Sequence, residues 1–244
     1  LLKSAQVFNY LKHADDYGLK VNEYDKDFDA VVNRSRNVAS GMSKGVHFLM
    51  KKNKIDVIEG HGKLLSGKKV SVTKAKKIKE YKANHIIIAT GARSRALPSL
   101  PQDGKKVIGY REAMTLTKQP KKLIVVGSGA IGIEFAYFYN AMGTQVTIVE
   151  YVDRIAPLED EEVSKQLEKS FKKSGIEIIT NAEVTAVNNS SKGVKATVKT
   201  SKGEEMLDAD IVLSAAGIKS NIENLGLEDL GIAVDNDKIL VNDF

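Results

Sequence analysis

Residues 122–150 read KLIVVGSGAIGIEFAYFYNAMGTQVTIVE, and this stretch decides the fold of the chain. A mainly apolar strand over Lys122–Val126 leads into the glycine-rich turn Gly127–Gly132, which opens a helix over Ala130–Met142. A second apolar strand follows over Gln145–Val149. Strand, glycine turn, helix and strand in this order predict a βαβ unit, in which a helix joins two parallel strands.

The turn itself, Gly127-Ser128-Gly129-Ala130-Ile131-Gly132, has the G-x-G-x-x-G spacing of a dinucleotide-binding loop. In such a loop Gly127 makes the tight turn, Gly129 lets the backbone approach a pyrophosphate, and Gly132 lets helix and strand pack closely. The free amides and the positive dipole end of the helix N-terminus then face the phosphates. The alternative is a glycine-rich turn that binds nothing, and the surrounding strand, helix and acid favour binding.

That acid is Glu150, which ends the second strand 18 residues after Gly132, near the expected interval of about 20. Its carboxylate can accept hydrogen bonds from both ribose hydroxyls of an adenosine, whereas the 2′-phosphate of NADP would meet a negative charge. Arg154 could reach such a phosphate, but Asp153 and Glu150 surround it with acidic groups. The sequence therefore favours NAD over NADP.

Glu134 lies two residues after the glycine turn, in the first turns of the predicted helix. Two interpretations remain open for it. Its side chain could point into the nucleotide cleft, or it could be an acid that simply complements the helix dipole. Its position in the sequence does not decide between them.

The rest of the chain places this βαβ unit in a larger α/β fold. After residue 150 a helix is expected over 160–173, strands over 176–179 and 210–215, and antiparallel strands over 183–188, 194–200 and 205–207, with turns at Asn189–Lys192 and Lys202-Gly203. This pattern predicts a Rossmann-like, doubly wound parallel sheet with a small antiparallel crossover.

Before residue 122 the pattern is different. Helices are expected over 1–14, from Asp25 or Asp27 to about 53, and over 111–117; short strands are expected over 55–59, 63–65 and 69–73, and a strand buried on both faces over 84–89. Pro98, Pro101 and Gly104 then mark a loop, and Pro120 is the best candidate for a domain boundary.

Composition limits the chemistry that these 244 residues can perform. They contain no cysteine, which excludes disulfides, cysteine zinc sites and thiol catalysis within them. The four histidines have no metal-ligand spacing, so no metal site is expected. No apolar stretch approaches the roughly 20 residues that span a bilayer and the first residues are not a secretory signal, so we expect a cytoplasmic protein without a membrane partner.

The net charge of +6 resides in one segment. Residues 68–82 contain seven lysines and one glutamate, and the rest of the chain is neutral. A nucleic-acid patch is one interpretation, and it predicts a steep salt dependence of DNA retention. A segment with a single aromatic residue, no arginine and no recognition motif favours a solvated basic surface instead, so no nucleic-acid partner is expected.

Four regions of the chain together resemble the flavoprotein disulfide reductases, and within them the dihydrolipoamide dehydrogenase family. Residues 125–171, with VVGSGAIGIEFAYFYNAMGTQVTIVE followed by DRIAPLEDEEVSKQLEKSF, are similar to the family's NAD-binding domain. IIIATGARSRALP (86–98) and DIVLSAAGIKSNIENLGLE (210–228) are similar to the segments that connect it to the flavin domain, and LLKSAQVFNYL (1–11) is similar to the helix after the redox-active cysteine pair.

The resemblance implies cofactor contacts for individual residues, and none of them is catalytic. For NAD they are Gly127, Ser128, Gly129, Ala130, Ile131, Gly132, Ile133 and Glu134 at the pyrophosphate and nicotinamide, Glu150 at the ribose, Val184 at the adenine through its backbone, and Gly217 at the nicotinamide side. For FAD they are Gly62 at the adenine and Thr90, Gly91 and Ala92 at the flavin. Lys219 stands where many members of the family have arginine.

The resemblance also implies a domain organisation: a partial FAD-binding domain over 1–112, an NAD-binding domain over 113–241, and the start of a return to the FAD domain over 242–244. The family's first FAD fingerprint and cysteine pair would precede residue 1, and its interface domain would follow residue 244. We therefore expect an internal fragment that binds NAD without oxidising dihydrolipoamide by itself.

For the full-length parent, the resemblance implies a homodimer that passes two electrons from dihydrolipoamide through FAD to NAD. Its partner would be the dihydrolipoamide-bearing acyltransferase of a 2-oxo acid dehydrogenase complex. Two alternatives remain open: an NADH oxidase or other flavoprotein reductase of the same family, and a non-catalytic NAD-binding module.

Overall fold

The computed structural model describes residues 1–190 and 193–243. The α-helices in these ranges are α1 (Leu2–Lys12), α2 (Phe28–Lys52), α3 (Tyr110–Ala113), α4 (Ala130–Ala141) and α5 (Glu161–Lys173). Short 3-10 helices cover Ala14–Tyr17 and Glu228–Leu230. Among the described residues, none of the helices combines the length and the apolar character that crossing a membrane requires.

The strands are short and fall into parallel and antiparallel groups. In chain order they are β1 (His61–Leu65), β2 (Lys69–Lys74), β3 (Lys77–Lys82), β4 (Ala92–Ser94), β5 (Val107–Ile108), β6 (Lys122–Val126), β7 (Gln145–Val149), β8 (Glu177–Ile179), β9 (Glu183–Ser190), β10 (Gly193–Thr200), β11 (Gly203–Ala209), β12 (Ile211–Ser214), β13 (Ile218–Ser220), β14 (Val234–Asp235) and β15 (Lys238–Ile239).

The chain divides into two compact units. The first, which we call the parallel-sheet unit, comprises Leu1–Ala39 and Ser94–Gly217. The second, the meander unit, comprises Ser40–Arg93 and the residues from Ile218 onward. The assignment of FAD and NAD domains to 1–112 and 113–241 stays a prediction, because a division by contacts does not say which cofactor a unit binds.

In the parallel-sheet unit five parallel strands lie in the order β5-β12-β6-β7-β8. Alternate side chains of β6 point to opposite faces. Leu123 and Val125 join a core with Phe138 of α4, whereas Ile124 and Val126 join a second core with residues of β9 and β10. The parallel sheet therefore has helices on one face and the antiparallel β9–β11 sheet on the other, which confirms the predicted α/β fold with its antiparallel crossover.

In the meander unit β1, β2 and β3 form an antiparallel sheet. The returning chain contacts this sheet, because Leu64 N donates to Leu225 O at 2.7 Å and Lys63 Nζ lies 3.2 Å from Asp229. Residues 66–68 form the turn between β1 and β2. The basic segment 68–82 proves to be largely the hairpin of β2 and β3; we predicted β2 but missed β3.

Two predicted strands are wrong. Residues 84–89 and 55–59 have no strand structure, and Ile87 is 89% exposed instead of buried on both faces. An apolar run forms a buried strand only where neighbouring strands pair with it on both edges. No strand of the described residues pairs with 84–89.

The smaller deviations are at element ends. Asp27 Oδ1 accepts from Ala30 N at 2.9 Å, which confirms a cap ahead of α2. The predicted helix over 111–117 is the single turn α3. Of the turn predicted at Asn189–Lys192, residues 191 and 192 lie outside the described residues, as does Phe244 of the predicted return segment.

An ion pair in the meander unit makes its stability depend on pH. Arg93 donates to both carboxylate oxygens of Glu223, at 2.5 and 3.1 Å, and this hydrogen bonding lowers the pKa of Glu223 to about 2. A lowered carboxyl pKa stabilises the fold above the unfolded value of about 4.3, and the contribution is lost as pH falls through about 2. Because exposed ion pairs contribute little, we expect Arg93→Gln to lower the urea midpoint modestly at pH 6. We expect a smaller decrease near pH 2, where the hydrogen bonds from Arg93 to Asn221 Oδ1 and Ser220 O persist.

Lys51→Gln is the matched control, since it removes an exposed positive charge from the same unit without touching this pair. The urea midpoints of the wild type and the two variants are measured by circular dichroism at pH 6 and near pH 2. A difference between Arg93→Gln and wild type that is the same at pH 6 and pH 2 would contradict the assigned ion pair.

Candidate functional site

The turn after β6 needs glycine at its first position. Gly127 has φ +97°, a left-handed conformation, and its N–H donates to Val149 O of β7 at 2.9 Å. A Cβ atom on Gly127 would lie 2.6 Å from the carbonyl oxygen of Ala215. The turn is therefore held between β7 and the end of β12, and only glycine fits there.

The last glycine of the turn, Gly132, is where α4 contacts the loop that precedes it. A Cβ atom on Gly132 would lie 2.0 Å from the carbonyl oxygen of Gly127 and 3.0 Å from its carbonyl carbon. Both atoms belong to the backbone, so they cannot rotate away as the end of a side chain would. The sequence predicted a close approach of helix and strand at Gly132, and the close contact in the structure is between the helix and Gly127, directly after the strand.

The middle glycine, Gly129, is open on the side where a ligand would approach. It is exposed, it precedes the first residue of α4, and a Cβ atom there would meet no protein atom within 4 Å. No side chain caps this helix start, and the first amides of a helix have no intrahelical acceptors. Amides with this arrangement form an anion-binding position.

Glu150 follows β7 and lies directly against the glycine turn. Glu150 is only 7% exposed, and three hydrogen bonds engage its carboxylate. Oε2 accepts from Ser128 N at 2.7 Å and from Ser128 Oγ at 2.5 Å, and Oε1 accepts from Val152 N at 3.0 Å. These three bonds compensate the cost of burying the charge.

The contact between Ser128 and Glu150 was not predicted. The sequence placed Ser128 in the turn and assigned it to cofactor binding, but it indicated no contact between its side chain and the acid. A small hydroxyl residue between the first two glycines, with an acid at the end of the next strand, is the signal that could have revealed it.

The other residues predicted to contact NAD occupy different parts of the parallel-sheet unit. Ala130, Ile131 and Ile133 lie in the first turn of α4. Val184 lies in β9 with its side chain buried in the second core, so only its backbone is available for the predicted adenine contact. Gly217 has φ +95°, and its carbonyl oxygen accepts from Arg95 N at 3.0 Å. The contacts of these residues with NAD stay predictions.

Glu134 borders a largely apolar cavity of about 450 Å³ in the same unit. Tyr110 and Met114 contribute to its walls, and Lys3 and Arg36 are the other two charged residues there. Glu134 itself is exposed. Both interpretations of Glu134, a contact with the nucleotide and an acid that complements the helix dipole, stay predictions.

The residues predicted to contact FAD lie in the meander unit. The carbonyl oxygens of Thr90 and Gly91 accept hydrogen bonds from the side chain and the backbone N–H of Asn221, at 3.1 and 2.9 Å. Ala92 begins β4, and Gly62 lies in β1 opposite Val72. Each of these carbonyl oxygens keeps a second lone pair, and the contacts of these residues with FAD stay predictions.

A metal centre was not expected, and the described residues contain no group of three or more histidine, aspartate or glutamate side chains that could hold an ion. The chain also contains no cysteine. At the glycine turn of the parallel-sheet unit, a helix N-terminus and a buried carboxylate lie side by side.

Comparison with known proteins gives a consistent result. A family model described as pyridine nucleotide-disulphide oxidoreductase matches residues 4–244. The dihydrolipoyl dehydrogenases of Rhizobium etli and Zymomonas mobilis are 44% and 43% identical; the alignments cover 100% of this chain and 54% and 53% of those proteins. The crystal structure of LpdA from Mycobacterium tuberculosis aligns with a TM-score of 0.87 and 28% identity over 97% of this chain and 51% of that one. The chain thus spans about half the length of these relatives.

Proposed function

Because the chain belongs to the pyridine nucleotide-disulphide oxidoreductase family, we propose that its parallel-sheet unit binds NAD(H) for a dihydrolipoamide dehydrogenase. In that reaction the dithiol of dihydrolipoamide is oxidised to a disulfide and NAD⁺ is reduced, so two electrons and one proton pass to NADH and a second proton is released. The observation that carries the proposal is the glycine turn Gly127–Gly132 held against Glu150.

The residues present fit a dinucleotide. The open space at Gly129 would take the pyrophosphate next to the first amides of α4. Gly127 and Gly132 keep the backbone compact around that space. Glu150 would contact the adenosine ribose from the end of β7, the place where a dinucleotide fold carries its acid. NAD, when bound, supplies the electron acceptor.

Charge supports NAD over NADP. A 2′-phosphate bound at this ribose would lie beside the buried Glu150 carboxylate, and like charges at short range repel strongly where water is excluded. The guanidinium of Arg154 is partly engaged: Nη2 donates to Pro157 O at 3.3 Å and Nη1 lies 3.7 Å from Asp153, whereas the buried Nε has no hydrogen-bond partner among the described residues. We therefore propose NADH as the preferred ligand.

FAD is the second cofactor of the proposal, and it rests on the resemblance alone. Gly62, Thr90, Gly91 and Ala92 are the residues proposed to contact it. A redox-active disulfide, a homodimer, a cytoplasmic location and a dihydrolipoamide-bearing acyltransferase as partner belong to the same proposal for the whole protein. The 44% identity to a dihydrolipoyl dehydrogenase supports these points as a group.

The experiment that tests the proposal is a titration with NADH, followed by nicotinamide fluorescence. We expect saturable binding by the wild type, weaker binding of NADPH, and a loss of NADH affinity of about tenfold or more in Glu150→Ala, because hydrogen bonds to a carboxylate are removed. Glu150→Gln is the second variant, for the case in which Glu150→Ala unfolds. Its amide oxygen can still accept a hydrogen bond from Ser128, so the turn keeps a partner at this position.

Glu205→Ala is the matched control, since it removes an exposed acid of β11 in the same unit, and Glu205 pairs with Val198 of β10. We expect it to bind NADH as the wild type does. Lack of saturation by the wild type, or identical affinities in the wild type and both folded Glu150 variants, would contradict the proposed site.

A further inference from the structure

The Glu150 carboxylate has almost no acceptor capacity left for a ligand. An ionised carboxylate offers about four lone-pair positions on its two oxygens. Ser128 N and Ser128 Oγ use both positions on Oε2, and Val152 N uses one on Oε1. One position on Oε1 remains. A ribose that presents two hydroxyls therefore finds room for one hydrogen bond, not for the two that the sequence suggested.

Ser128 cannot easily move aside to make room. Ser128 is fully buried, its N–H donates to Glu150 Oε2, and its carbonyl oxygen accepts a hydrogen bond from Ala156 N at 3.0 Å. The backbone of the turn on its N-terminal side is fixed by Gly127, where a Cβ would already collide with Ala215 O. The hydroxyl is the one polar group of Ser128 that can break its bond by rotation about a single torsion angle.

We propose that the Ser128 hydroxyl is a specificity-determining group of this site, because it competes with the adenosine ribose for Glu150. This inference rests on the proposed function, in which that ribose binds here. A ribose with both hydroxyls gains its second hydrogen bond only when Ser128 Oγ–H leaves Oε2. Since one bond replaces another, the second ribose hydroxyl adds little affinity in the wild type.

Removing the competitor has a specific consequence. Ser128→Ala keeps the backbone N–H bond to Oε2 and frees one lone-pair position on that oxygen. Both ribose hydroxyls can then bind without breaking a protein hydrogen bond. We expect NADH and ADP, which both carry the complete adenosine ribose, to bind about three- to tenfold more tightly to Ser128→Ala, the factor that corresponds to one hydrogen bond.

The test compares ADP with 2′-deoxy-ADP as competitors of NADH in the fluorescence titration. In the wild type we expect the two nucleotides to differ by less than about threefold, because the remaining 3′-hydroxyl still has its one position on Oε1. In Ser128→Ala we expect the ratio of their dissociation constants to rise about three- to tenfold. Reduced nicotinamide mononucleotide, which lacks the adenosine, should bind the wild type and Ser128→Ala with equal affinity.

Ser164→Ala is the matched control, because Ser164 is also a buried serine of this unit, and its hydroxyl donates to Ala156 O at 3.1 Å instead of to Glu150. It should leave the ratio of ADP to 2′-deoxy-ADP unchanged. If the ratio of the dissociation constants of ADP and 2′-deoxy-ADP is the same in Ser128→Ala and wild type, Ser128 does not compete with the ribose. Weaker NADH binding by folded Ser128→Ala would also contradict the proposal.

The outcomes separate this inference from the function on which it rests. Saturable NADH binding that depends on Glu150, together with an unchanged nucleotide ratio in Ser128→Ala, leaves the proposed function standing and overturns only the role of Ser128. Absence of saturable NADH binding by the wild type overturns the proposed function and the competition with it.

Discussion

Gly132→Ala is expected to lower the free energy of unfolding by about 3 kcal/mol or more and to abolish NADH binding. The added methyl carbon would lie 2.0 Å from the carbonyl oxygen of Gly127 and 3.4 Å from Cβ of Ala215, so the start of α4 would have to separate from the turn. Both the core beneath α4 and the geometry of the turn depend on that contact. Urea unfolding followed by circular dichroism measures the loss.

Gly41→Ala controls for the effect of an added methyl group by itself. Gly41 lies inside α2, and a Cβ atom there would meet nothing within 4 Å. We expect this variant to be as stable as the wild type or more so, because alanine favours a helix over glycine by about 0.5–1 kcal/mol. If the urea midpoint of Gly132→Ala equals that of the wild type, the close contact between α4 and the turn is contradicted.

Gly129→Ala, unlike Gly132→Ala, is expected to leave the stability of the fold unchanged. Its φ of −67° is accessible to alanine, and the new Cβ would contact no protein atom, so the urea midpoint should stay at the wild-type value. The methyl group would occupy the space proposed for the pyrophosphate. We expect NADH affinity to fall at least about tenfold, the result of steric exclusion from a position next to the helix amides.

The measurement is the same NADH titration, with the urea midpoint recorded on the same preparation. The comparison of the two glycine variants separates a loss of binding that follows from unfolding from one that follows from blocked access. Wild-type NADH affinity in a folded Gly129→Ala variant would show that no phosphate approaches the backbone at this residue.

The parallel-sheet unit could be predicted from the sequence because local patterns and the final packing agree there. The observed bounds of β6 and β7, Lys122–Val126 and Gln145–Val149, are those predicted, since each is an apolar run that ends at a turn or an acid. The glycines at 127 and 132 are required by backbone contacts with nearby residues, and the G-x-G-x-x-G spacing encodes these contacts directly.

Other features depend on residues far apart in the chain. The run 84–89 has the composition of a buried strand, but composition does not say whether strands pair with its edges, and Ile87 is exposed. The bond from Ser128 Oγ to Glu150 depends on how closely the turn approaches the end of β7 and on a side-chain rotamer. A sequence pattern indicates which residues lie near each other in such a fold, but not the atoms that form hydrogen bonds.

The most direct test of the account is a map of backbone amide chemical shifts during a titration of the chain with NADH. We predict saturable shifts at Ser128, Gly129, Ala130 and Glu150, all with one dissociation constant, and unchanged shifts along β2 and β3. Saturable shifts confined to residues outside the glycine turn, or no shifts at NADH concentrations that saturate the fluorescence signal, would contradict the proposed dinucleotide site.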